Sequence, residues 1–198
     1  MKRTLILGLL LLAGNWARAS VTLSQSFSGG TVTQGNPVGT VFNGNFTAAN
    51  SGDQVLSLTV GLDFAGGYSG GFYVALTAPD GVSTVTLLNT PGTSTYGLNI
   101  TLQDGRTAIS SGSNLSGGTY AAYGTLGNLD GQQANGNWTL YFGDLASGGG
   151  NPTVTSWTLN VDVVPEPVNL ALGVFGLLFV TIIAVRCRAG RLSGDRPV

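Results

Sequence analysis

The central part of this sequence predicts an all-β domain made of two sheets packed face to face. Three observations predict it. Large apolar residues recur at every second position in four separate runs. Clusters of Gly, Asp, Asn and Pro stand between the runs, where a chain must turn. No segment between Ser20 and Val163 carries apolar residues at helical spacing, and the stretch is rich in Gly, Ser, Thr and Asn, which are poor helix formers.

The elements follow in chain order. Residues 1–19 have the layout of a cleavable secretory signal. Lys2 and Arg3 form its basic start, Leu5 to Ala13 its apolar stretch, and Ala17-Arg18-Ala19 its small-x-small cleavage site, with Ser20 as the new first residue. Residues 20–163 form the β domain. In its first run, Leu56, Leu58, Val60, Leu62 and Phe64 alternate with Ser57, Thr59, Gly61 and Asp63. In the second, Phe72, Val74 and Leu76 alternate with Tyr73, Ala75 and Thr77. Pro79-Asp80-Gly81 then predicts a hairpin turn into Val82–Leu88, because Pro presets φ and Gly accepts positive φ. Asp104-Gly105 and Asp130-Gly131 mark further turns. Trp138, Leu140 and Phe142 make the third run, and Trp157, Leu159, Val161 and Val163 the fourth, with Ser147–Pro152 as the loop between them. Each run has one large apolar face and one small or polar face. Strands of that kind bury one side only, so two sheets must share a core. Trp138 and Trp157, in phase with Leu and Phe, are read as core rather than as exposed sugar platforms.

Beyond the domain, Val168 to Val185 is an uncharged apolar segment. As a helix it would reach about 27 Å, close to the thickness of a bilayer's hydrocarbon. Arg186, Arg188 and Arg191 follow it, with Arg196 further on. Basic residues stay on the cytoplasmic side, so the expected topology has the β domain outside and residues 192–198 as a cytoplasmic tail. Cys187 falls at that cytoplasmic edge and is read as incidental.

Charge and composition exclude several functions. The sequence carries eight Lys and Arg against nine Asp and Glu, but the cations lie at the ends. Between Ser20 and Val164, Arg106 is the one basic residue against seven aspartates, a net charge of −6. Such a domain cannot neutralise a phosphate backbone, so nucleic acid is not an expected partner. With a single cysteine there is no internal disulfide, and the core must hold the fold by itself.

Candidate chemistry is sparse. Gly67-Tyr68-Ser69-Gly70-Gly71 matches a nucleophile motif, but the chain has no histidine and no Ser-x-x-Lys at that site to activate Ser69. No catalytic residue is assigned. Asp80, Asp104 and Asp144 are the candidate calcium ligands, since Ca²⁺ takes carboxylate and carbonyl oxygens. Asp-Gly is also ordinary turn chemistry, and that is the preferred reading; no other cofactor is expected. Tyr68, Tyr73, Tyr120, Tyr123 and Tyr141 are candidates for surface contacts.

Two resemblances add to this. Gly136-Asn137-Trp138-Thr139-Leu140 through Asp144 and Gly148, then Ser156-Trp157-Thr158-Leu159, resembles the end of a P domain. That module follows the catalytic domain of proprotein convertases and many bacterial subtilisin-like proteases. Leu76–Gly81 with Val85–Leu88 resembles its hairpin. The resemblance implies a jelly-roll-like β-sandwich and, in some members, calcium. Asp63 stands near a position where many members carry histidine. Secondly, Val164-Pro165-Glu166-Pro167, the apolar segment 168–185 and the arginines after it resemble a PEP-CTERM sorting signal over residues 164–191. In that family an exosortase-type membrane enzyme recognises and processes the tail. Together these imply an exported bacterial protein, held at the membrane by its C-terminal helix before processing. Its final place would be the cell surface or extracellular matrix, near exopolysaccharide or other surface proteins. The expected role is non-catalytic. The alternatives are an accessory or stabilising module for a separate subtilisin-like protease, or a carbohydrate-binding adhesion module.

Overall fold

A computed structural model describes residues 20–164 and 175–183. The chain divides after Val164 into two units. The first is the β domain. Its strands are β1 (Val21–Ser28), β2 (Thr40–Phe46), β3 (Gln54–Tyr68), β4 (Phe72–Thr77), β5 (Thr84–Asn89), β6 (Tyr96–Leu102), β7 (Thr119–Tyr120), β8 (Gly136–Asp144) and β9 (Thr153–Val164). Two short 3-10 turns, Ser69–Gly71 and Leu126–Leu129, interrupt them.

The strands form two sheets, as the alternation requires. One has five strands in the order β1-β9-β3-β6-β7, the other four in the order β2-β8-β4-β5. Neighbours are antiparallel except β6 and β7, which run parallel. The apolar face of each run turns inward. Leu58, Val60, Leu62 and Phe64 of β3 and Trp157, Leu159 and Val161 of β9 meet Trp138, Leu140 and Phe142 of β8 and Phe72, Val74 and Leu76 of β4, all buried. An aromatic cluster joins the two layers. Phe64 stacks on Phe142 with centroids 4.7 Å apart, and Phe72 meets the same ring edge-on at 4.8 Å.

One expectation needs correcting. Leu56 is not on the buried face of β3: it is 48% exposed, whereas Val55 is 3% exposed. The cause is a break in the β3–β9 register between Val55 and Ser57. A bulge adds one residue and reverses the facing of everything before it. The hairpin between β4 and β5 forms where Pro79-Asp80-Gly81 predicts it. Ala78 N–H bonds Ser83 O at 2.8 Å, and Gly81 N–H bonds Ala78 O at 3.0 Å.

Residues 175–183 form a helix within the segment expected at 168–185. Among the described residues no helix is long and apolar enough to cross a membrane. The signal segment 1–19, Pro165, Glu166 and Pro167 of the sorting motif, and Arg186, Arg188 and Arg191 lie outside the described residues; Val164 ends β9.

Candidate functional site

The outward face of the five-stranded sheet carries small polar side chains throughout its centre. They are the alternate partners of the core residues. Thr22, Ser24 and Ser26 of β1 stand beside Asp162, Asn160 and Thr158 of β9, and these stand beside Ser57, Thr59 and Gly61 of β3. Asp63 of β3 faces Asn99 of β6 on one side and Ser156 of β9 on the other.

The face has two halves. In one, the polar groups satisfy each other. Asp162 accepts hydrogen bonds from Ser57 Oγ at 2.6 Å and Thr22 Oγ1 at 2.5 Å. Those two bonds, Ser57 first, hold its carboxyl below the usual carboxylate range. Asn160 Nδ2 donates to Thr59 Oγ1 at 3.2 Å, and Ser26 and Thr158 share a 2.7 Å hydroxyl bond. In the other half, the side chains of Asp63, Asn99, Thr101 and Ser156 make no hydrogen bond to another described residue.

The open half surrounds a depression of about 210 Å³. It is a grid of two rows: Asn99–Asp63–Ser156 and Thr101–Gly61–Thr158. Gly61 has no side chain to fill the middle of its row. A Cβ there would lie 3.3 Å from Thr158 Cβ, inside the hollow. With strands about 4.8 Å apart, the grid is about 10 Å wide across three strands. Chemically it offers an acceptor-only carboxylate, an amide that donates and accepts, and three hydroxyls that do both.

Of the three candidate calcium ligands, Asp80 and Asp144 are not brought together. Asp144 faces Phe72 at the start of β4, whereas Asp80 lies in the turn past Thr77 at its other end. Six residues of strand separate them, roughly 18 Å. Each aspartate has local work instead. Asp80 Oδ1 accepts from the Val82 and Ser83 amides at 2.9 Å, and Oδ2 from Ser83 Oγ at 2.6 Å. The Ser83 hydroxyl, then those amides, lower its carboxyl from the ordinary value. Asp104 accepts from the Leu126 and Gly127 amides at 2.9 and 2.8 Å. Asp144 is buried; Oδ1 takes the Ala146 amide at 3.2 Å and Oδ2 has no partner among the described residues. Burial pushes its carboxyl up, against the Ala146 bond. No group of three or more metal-ligating acids, His or Cys occurs among the described residues.

Ser69 is fully buried and bonds Thr93 Oγ1 at 2.6 Å and Thr95 O at 2.9 Å, so it fastens a loop and faces no solvent. Trp138 and Trp157 are both fully buried. Tyr68 and Tyr123 are exposed, while Tyr73, Tyr120 and Tyr141 are half-buried. The outward grid was not singled out by sequence reasoning. Half of its signal, the polar alternates Gly61, Asp63 and Thr158, was in plain view. Which strands lie side by side was not.

The fold is similar to part of a serine protease of Aeromonas sobria. Against the crystal structure of that protease with the chaperone ORF2, the TM-score is 0.52 at 14% identity, over 80% of this chain and 29% of that chain. Against the crystal structure of the serine protease of Aeromonas sobria, it is 0.51 at 15% identity, over 78% and 29%. This chain thus matches under a third of the protease's length. At such identity the likeness is one of fold: a β-sandwich resembling the P domain of a subtilisin-like protease. No family model and no curated protein matches the sequence.

Proposed function

We propose that this chain is an exported, non-catalytic surface module: a P-domain-like, jelly-roll-like sandwich that presents the Gly61 face to a ligand outside the cell. Its C-terminal PEP-CTERM-like segment directs it to the membrane, where an exosortase-type enzyme processes the tail. The observation that carries the binding role is the division of the outward face. There the polar side chains of Asp63, Asn99, Thr101 and Ser156 ring a depression at Gly61 instead of bonding one another, and that hollow supports a binding role. Burial of Ser69 and the lack of histidine support a non-catalytic role. The likeness to a segment of a protease favours a second reading, an accessory module for a separate subtilisin-like protease. Antibody labelling of intact host cells tests the first. Label on the cell surface or in the matrix is expected; a protein confined to the cytoplasm would contradict it.

A further inference from the structure

We infer that the Gly61 depression binds a saccharide chain free of anionic groups. The inference rests on reading the outward face as a binding face and names the ligand class. The grid sits on three hydrogen-bonded strands, so the backbone spacing of its positions is fixed before a ligand arrives. Its groups suit a polyol. The Asp63 carboxylate can accept from two neighbouring hydroxyls at once, Asn99 can donate and accept, and Thr101, Thr158 and Ser156 can do either.

Other ligand classes fit less well. An anionic polymer would meet Asp63 on a domain of net charge −6. A calcium ion takes six to eight oxygens and favours several carboxylates, whereas Asp63 is the one carboxylate lining the hollow. A protein partner would look for aromatic or apolar anchors, and the five side chains of the grid include none. An aromatic surface does lie further along the same strands. At the next paired position beyond Phe64–Leu98, Tyr68 and Tyr96 meet edge to face with centroids 5.7 Å apart. Both are exposed, Tyr96 by 64%. An exposed ring offers an apolar face to the C–H side of a sugar.

The test is isothermal titration of the full chain, in a detergent without a sugar head group, with cellohexaose, maltohexaose and xylohexaose, and with polygalacturonate as the anionic comparison. A neutral oligosaccharide is expected to bind in the millimolar range, as befits a shallow site. Asp63→Ala should weaken it at least tenfold, and Gly61→Val should abolish it. Asn160→Ala, on the self-bonded half, should leave it within twofold. Asp63 has no side-chain partner in the domain, so its variant keeps the test valid should Gly61→Val fail to fold. Binding to none of the three neutral probes, binding to polygalacturonate only, or binding unchanged by Asp63→Ala overturns the inference. If the protein is found on the surface but binds no neutral probe, this inference falls and the export reading stands. If it binds but never leaves the cytoplasm, the reverse holds.

Discussion

The two buried tryptophans differ in one respect that can be measured. Trp138 and Trp157 are both fully buried, so truncation of either to Ala should cost about 3–5 kcal/mol. Replacement by Phe separates them. Trp138 Nε1 donates to Ala134 O at 2.9 Å. Trp157 Nε1 has no partner among the described residues; its ring packs against Phe27 at 4.4 Å and beneath Gly44. Both Phe variants lose a similar part of the indole and leave a similar hole. Trp138→Phe also strands the Ala134 carbonyl, whereas Trp157→Phe removes an unpaired buried donor. A buried polar group left unsatisfied costs about 1–3 kcal/mol, so Trp138→Phe should be the worse variant by about 2 kcal/mol. In urea, where slopes for small domains are about 1–3 kcal/mol per molar, that is a gap of roughly 1 M in midpoint. Equal midpoints, or a lower midpoint for Trp157→Phe, would refute the reasoning.

Further outcomes follow from the same structure. Val55→Ala should cost roughly 2 kcal/mol, while Leu56→Ser, on the exposed side of the bulge, should stay within about 0.5 kcal/mol; comparable urea shifts for the two would dismiss the bulge. Asp144 has a carboxyl raised by burial, so the folded state holds its proton more tightly than the unfolded chain. Its stabilising contribution is full below the ordinary carboxylate range and is lost as pH rises through the raised value. Asp144→Asn should therefore be more stable than wild type at neutral pH, with the advantage shrinking toward about pH 4, as melting temperatures across that range would show. An advantage constant with pH would count against it.

Much of the sandwich was legible because each long strand buries one face only. Leu58 to Phe64, Trp138 to Phe142 and Trp157 to Val163 announce themselves through alternation with residues too small or too polar to bury. Leu56 misled because a bulge leaves no mark in a pattern of apolar residues; Val55 and Leu56 are equally apolar. β1 and β6 were harder still. Val21–Ser28 is an edge strand with only Leu23 and Phe27 packed inward, and Gly97 breaks the rhythm of β6. The outward grid was illegible for a different reason. Asp63, Asn99 and Ser156 become neighbours through strand order, which depends on how distant segments pair across the whole domain. Asp80 and Asp104 sit at turns because a carboxylate caps backbone amides there, and that explains their positions without any metal.

The central claim is that this sandwich is exported and its tail processed, and tail-directed mass spectrometry tests it most directly. Mature protein would be recovered from a host that carries an exosortase-type enzyme, from the same host without it, and from a variant with Pro165-Glu166-Pro167 changed to Ala-Ala-Ala. The substitution leaves the apolar segment 168–185 and the arginines after it intact, so a plain membrane anchor would behave as before. The account predicts wild-type protein that begins at Ser20 and lacks Arg186–Val198, with the tail retained in the other two samples. Wild-type protein that keeps Arg186–Val198 throughout, in a host that has the enzyme, would contradict it.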